Sequence, residues 1–166
     1  MSKTQENTKV RGMFRVHLEE DGKIVGDSGW HENQITNLGF NNFIVSSLGS
    51  ISGSAYIAYA ALGTGGAPAA TATTLSGEVS TNGSGSVVRA AVTAATSSTS
   101  KSLVNTATFS SSNSFITASA NISNIGLWNI SGPTTASGTL FAGNTYTSSA
   151  LATNQNVNIT YTINFS

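Results

Sequence analysis

The chain has 166 residues, no cysteine and a formal net charge of zero, and only 8% of its residues are charged. An ordinary soluble domain carries about 25% charged residues, so solubility falls here to Ser, Thr, Asn and Gly. The balance gives no long-range attraction to nucleic acid or to an acidic membrane. Disulfides and thiolate metal sites are excluded, and the length fits one main domain with its own core.

The charges are unevenly placed. Eleven of the fourteen lie between Lys3 and Glu32, and only Glu78, Arg89 and Lys101 follow. This divides the chain into a charged N-terminal arm, residues 1–34, and a nearly neutral body, residues 35–166. The N-terminal "MSKTQENTKVRG" lacks the apolar centre of a signal peptide, and no apolar run approaches the ~20 residues of a membrane helix. The expectation is synthesis and retention in the cytoplasm, or release by lysis.

In the arm, Val10, Phe14, Val16 and Leu18 alternate with Arg11, Met13, Arg15 and His17, the two-residue period of a half-buried strand. Asp21-Gly22 is a turn signal and "KIVGDSGW" returns, which predicts a hairpin over 9–18 and 23–30. Leu38, Phe40, Phe43, Ile44 and Leu48 then stand near helical spacing, with Thr36 as N-cap and Gly49 as stop, so one short helix is expected over 37–48.

Downstream, 56–62, 86–96, 103–110, 123–129, 139–147 and 157–165 are rich in Val, Ile, Thr and aromatics and are separated by Gly, Ser or Asn clusters. The last is the clearest, with Val157, Ile159, Tyr161, Ile163 and Phe165 on one face. "TNGSGS" at 81–86 reads as a flexible loop and "TAATSSTSKS" at 93–102 as a hairpin connection. With a single helical pattern available for crossovers, the expected fold is all-β: an antiparallel, jelly-roll-like β-sandwich with one short helix and an N-terminal hairpin or arm.

No catalytic motif emerges. His17 and His31 stand near Glu19, Glu20, Asp21, Asp27 and Glu32, but the spacing matches no metal-ligand pattern and reads as the solvated face of a hairpin. "GTGGAP" lacks the Lys and Ser/Thr of a phosphate loop. No serine sits in Gly-x-Ser-x-Gly. Neither an enzyme nor a cofactor is expected. Trp30, Trp128, Tyr56, Tyr59, Tyr146 and Tyr161 could stack on sugars, although aromatics serve more often as core or interface anchors.

Four stretches, taken in order, are familiar together: "NQITNLGFNNFIVSSLG" (33–49), "YIAYAALGTGGAPAATATTLSGEV" (56–79), "VVRAAVTAAT" followed by "NTATFS" (87–110), and "NISNIGLWNISGPTTASGTLFAGNTYTSSALATNQNVNITYTINF" (121–165). In order and spacing they resemble a family of small β-rich virion structural proteins of tailed bacteriophages, in which "ITNxGL", an "ALGTGTTAPAATDTAL"-like run, "EV…R" and "ITEAGLFN" succeed one another. The sequence departs from that pattern at Asn124, where Glu is frequent, and at Gly143, where Arg is frequent. Glu78 and Arg89 match "EV…R" and are expected to pair, within or between subunits.

The resemblance implies a non-enzymatic virion component, assembled in the host cytoplasm: a capsid decoration (cement) protein or head fibre that forms a homo-oligomer such as a trimer. Its partner would be the major capsid protein or another virion protein, with no nucleic acid and no membrane. Lys9, Arg11 and Arg15, alternating on one strand face, are the candidates for docking on the shell. The alternative reading is a tail or tail-fibre receptor-binding protein that contacts host surface glycans. The 56–79 stretch, uncharged as far as Glu78, is expected to leave a strand, cross the end of the sandwich with Pro68 stiffening it, and return to the core at Leu75.

Overall fold

The computed structural model describes residues 9–79, 88–97, 99–132, 138–147 and 150–166. The loop expected at 81–86, the start of the strand expected at 86–96 and residues 3–8 of the charged segment lie outside them. In chain order the strands are β1 (Val10–Glu20), β2 (Lys23–Asp27), β3 (His31–Glu32), β4 (Gln34–Ile35), β5 (Tyr59–Gly63), β6 (Ala90–Ala91), β7 (Thr93–Ser97), β8 (Ser102–Phe109), β9 (Ala120–Asn121), β10 (Asn124–Trp128), β11 (Leu140–Thr145), β12 (Ala150–Leu151) and β13 (Asn156–Phe165).

Every pairing is antiparallel. A larger sheet runs β2-β1-β13-β8-β7, with β3 also on β1, and a second sheet runs β4-β11-β10-β5-β6. One apolar core joins them: Phe14 and Val16 from β1 and Ile159, Tyr161 and Ile163 from β13 meet Leu62, Ile125, Leu127 and Phe141 of the second sheet. The chain is therefore an all-β antiparallel sandwich with one short helix, as its alternation predicts. Each fully buried Leu, Ile, Val or Phe of this kind contributes about 1.5–3 kcal/mol.

The hairpin forms as expected, and its turn shows why. Asp21 and Gly22 both take positive φ, 49° and 73°, the geometry of a two-residue turn whose twist matches the flanking strands. The division at residue 34 does not mark a seam, however. β1 lies between β2 and β13 and is in register with β13 from Val10↔Phe165 to Glu19↔Asn156. The inward side chains of the charged segment belong to the sandwich core.

Three other expectations change. The strand expected at 86–96 is two: β6 pairs with β5 in the second sheet, and after Val92 the chain crosses to the larger sheet as β7. The first half of "TAATSSTSKS" is therefore strand, and the connection is the short turn before Ser102. The third concerns the 64–77 excursion, which lies on the outer face of the second sheet and not across the sandwich end. Leu75 is buried there in a separate small cluster with Ala61, Trp128 and Leu140. With the main core on one face and this loop on the other, all five residues of β10 are buried.

The two departures from the family pattern occupy that outer face. Asn124 Nδ2 donates to the carbonyl oxygens of Gly66 (3.1 Å) and Ser76 (2.9 Å), tying the loop down without a charge. A Cβ on Gly143 would stand 2.5 Å from the Ile125 carbonyl oxygen and 3.1 Å from Pro68, so a larger residue there would push the loop off the sheet.

Candidate interaction surface

The helix spans residues 37–48, with a π-helical stretch at Phe40–Val45 between short α-helical ends. Thr36 caps it as expected: its Oγ1 accepts from the Gly39 amide at 2.9 Å and donates to the Leu140 carbonyl oxygen at 2.6 Å. This cap fastens the helix to β11, and Phe43 packs against Phe141 with ring centres 5.1 Å apart.

The apolar pattern of the helix is only partly buried. Phe43 is buried and Ile44 half-buried, while Leu38, Phe40 and Val45 are exposed and Leu48 is 85% exposed. Ile51 and Tyr56 follow, the latter 73% exposed. Of these, Phe43, Ile44, Leu48 and Tyr56, with Leu103, Ile163 and Phe165, line an apolar groove of about 360 Å³ at one end of the sandwich. Phe141 of the second sheet and Ile163 of the larger one both line it. Burial of each large apolar side chain here would yield about 1.5–3 kcal/mol.

Three cations stand at the same end of the larger sheet as the groove. Lys9 and Ser166 exchange backbone hydrogen bonds, Phe165 donates to the Lys101 carbonyl oxygen, and Arg11 stands opposite Asn164. Lys9 and Arg11 have no ion-pair partner among the described residues. Arg11 also borders a polar recess of about 340 Å³ with Glu32 and Asn33. The side-chain amide of Asn33 has no hydrogen-bond partner among the described residues.

Arg15 differs from the other two docking candidates. Its guanidinium is bidentate to Asp27, Nε to Oδ1 at 2.9 Å and Nη2 to Oδ2. These bonds, with a further one from the Gly29 amide, hold the Asp27 carboxyl well below its ordinary range. Arg15 thus fastens β1 to β2 and is already neutralised, leaving Lys9 and Arg11 as the open cations of that strand.

The structure brings Glu78 and Arg89 together within one chain. Arg89 Nε donates to Glu78 Oε1 at 2.6 Å and Nη2 to Oε2 at 3.1 Å, while Nη1 donates to the Ile130 carbonyl oxygen at 3.2 Å. The Arg89 guanidinium carbon lies 3.7 Å from the centre of the Trp128 ring. With its side chain 2% exposed, Arg89 clamps the end of the 64–77 excursion to β10 and leaves little surface for a partner subunit.

The histidines are apart in role. His17 Nε2 is 3.5 Å from Asp27 Oδ1. His31 stacks on Phe14 at 5.6 Å, with Nε2 2.8 Å from the Ser28 carbonyl oxygen. No group of three or more His, Cys, Asp or Glu able to hold a metal occurs among the described residues. The six aromatics do not form one platform: Trp128 and Tyr161 are buried, Tyr59 and Tyr146 half-buried, and only Trp30 and Tyr56 are exposed.

The four stretches that carry the phage resemblance supply all five strands of the second sheet together with the helix. No family model, curated protein or solved structure matches the chain.

Proposed function

We propose that the chain is a non-enzymatic structural component of a tailed-phage virion, a capsid decoration (cement) protein or head fibre that self-associates and binds the major capsid shell. The observation that carries this reading is the uncovered end of the sandwich. A helix that leaves Leu38, Phe40, Val45 and Leu48 in water stands at the same end as Lys9 and Arg11, which have no acidic partner among the described residues, and large exposed apolar patches of this kind mark protein contacts. The low charge of the body and the order of the four motif stretches support the same reading.

Docking then depends on Lys9 and Arg11. Lys9→Glu with Arg11→Glu should reduce incorporation into particles by at least about tenfold, the scale of losing two charge contacts, while the purified variant keeps the melting temperature of the parent. Full incorporation of the variant contradicts docking through this face.

Exposure of Trp30 and Tyr56 favours a second reading, a tail protein that meets host glycans. Glycan-array binding lost on Trp30→Ala and Tyr56→Ala would select it.

A further inference from the structure

The charges of the larger sheet are sorted by end. Where β1 begins and β13 finishes stand Lys9, Arg11 and Lys101, and among the described residues the first acidic one along that edge is Glu32, opposite Met13. At the other end, where β1 turns into β2, stand Glu19, Glu20 and Asp21, with Lys23 the one cation of the turn. Glu19 accepts from Asn158, and Glu20 from Asn154 and Gln155. These amides are neutral, so they orient the carboxylates without cancelling their charge. The side-chain bonds hold the Glu20 carboxyl below its ordinary range.

Apolar surface is paired with each charge. The cationic end carries the groove formed by Phe43, Ile44, Leu48, Tyr56, Ile163 and Phe165. The acidic end carries the hairpin edge, where Ile24 is 62% exposed and Val25 is exposed beside it. β2 is an edge strand, so that side of the hairpin pairs with no other strand among the described residues.

We propose that copies of this chain associate head to tail, the acidic hairpin edge of one copy seating Ile24 against the apolar groove at the cationic end of the next. The occupant must be another copy and not the chain's own hairpin. Ten residue steps along β1 separate Val10 from Glu20, and at ~3.3 Å per step the two features lie about 33 Å apart. Because the two surfaces differ, the contact is heterologous, and it propagates as a filament whose last copy keeps its cationic end free for the shell. Opposite charge sets the polarity and speeds encounter, and the apolar pairing supplies the adhesion.

The test uses the purified full chain and reads its mass by sedimentation and light scattering, so failure leaves the virion reading standing. In about 50 mM salt the parent should exceed the 16.9 kDa monomer in a concentration-dependent way, and high salt should weaken the charged part of the contact. A hairpin variant, Glu19→Lys with Asp21→Lys, and a groove variant, Lys9→Glu with Lys101→Glu, should each be monomeric because like charges then face one another. An equimolar mixture of the two should assemble again, since every junction regains opposite charges. Ile24→Ser and Leu48→Ser, both at exposed positions that the fold does not need, should each weaken association by about tenfold or more. A parent that stays monomeric, an oligomer indifferent to all four variants, or a mixture that fails to reassemble overturns the proposal.

Discussion

Arg89 is the residue on which the outer loop depends. A guanidinium taken out of water is stable there only with its partners, and Glu78, the Ile130 carbonyl and the Trp128 face supply them. Removing one member leaves the other charge buried alone. Glu78→Gln and Arg89→Met should therefore each lower unfolding free energy by about 3 kcal/mol, and the double variant should lose less than the sum. Urea denaturation of the four proteins measures this, and single variants indistinguishable from the parent would contradict it. The pairing was legible because these are isolated opposite charges in a neutral body, matching a family pattern. Its burial over Trp128 was not, since no local pattern links residues 89 and 128. Nor were the interior polar groups legible. Asn105, whose side-chain atoms have no partner among the described residues, and the equally unpartnered Tyr161 hydroxyl lie inside strands whose polar members usually face outward. Burial pushes the Tyr161 phenol well above its ordinary pKa.

At the scale of elements, the helix owes its position to Gly39 as much as to its cap. A Cβ there would stand 2.0 Å from the Phe141 carbonyl oxygen, a backbone atom that cannot move without shifting β11. On helix propensity alone Gly39→Ala would stabilise by about 1 kcal/mol. The close approach reverses the sign, and the expected result is a loss of about 2 kcal/mol, typical of overpacking, with a lower melting temperature by calorimetry. A stabilised variant would show that the helix does not dock as described. The hairpin, the helix and β13 were readable because each has a local signature: a positive-φ turn pair, a cap with a stop, and strict alternation. The crossing at Val92 was not, because a two-residue period does not say which sheet a strand joins. Two-residue strands such as β3, β4, β9 and β12 are too short to show a period at all.

For the whole molecule, the decisive feature is what folding leaves uncovered. The sequence predicted an apolar helix face, and the natural expectation is that such a face is buried. Here Phe43 enters the core, while Leu48 and its exposed neighbours remain uncovered at the end of the sandwich where Lys9, Arg11 and Lys101 also stand. The buried core between the two sheets does not include those exposed residues, which leaves them available for the assembly proposed above. The charged segment takes part in both roles: its inward residues belong to the core, and its outward cations border the surface. The measurement that tests the virion reading most directly is antibody-gold labelling of intact particles purified from the lysate in which the chain is made, with copy number from quantitative mass spectrometry. The account predicts many copies distributed over the head. Particles that carry none, or a few copies confined to the tail tip, would contradict it.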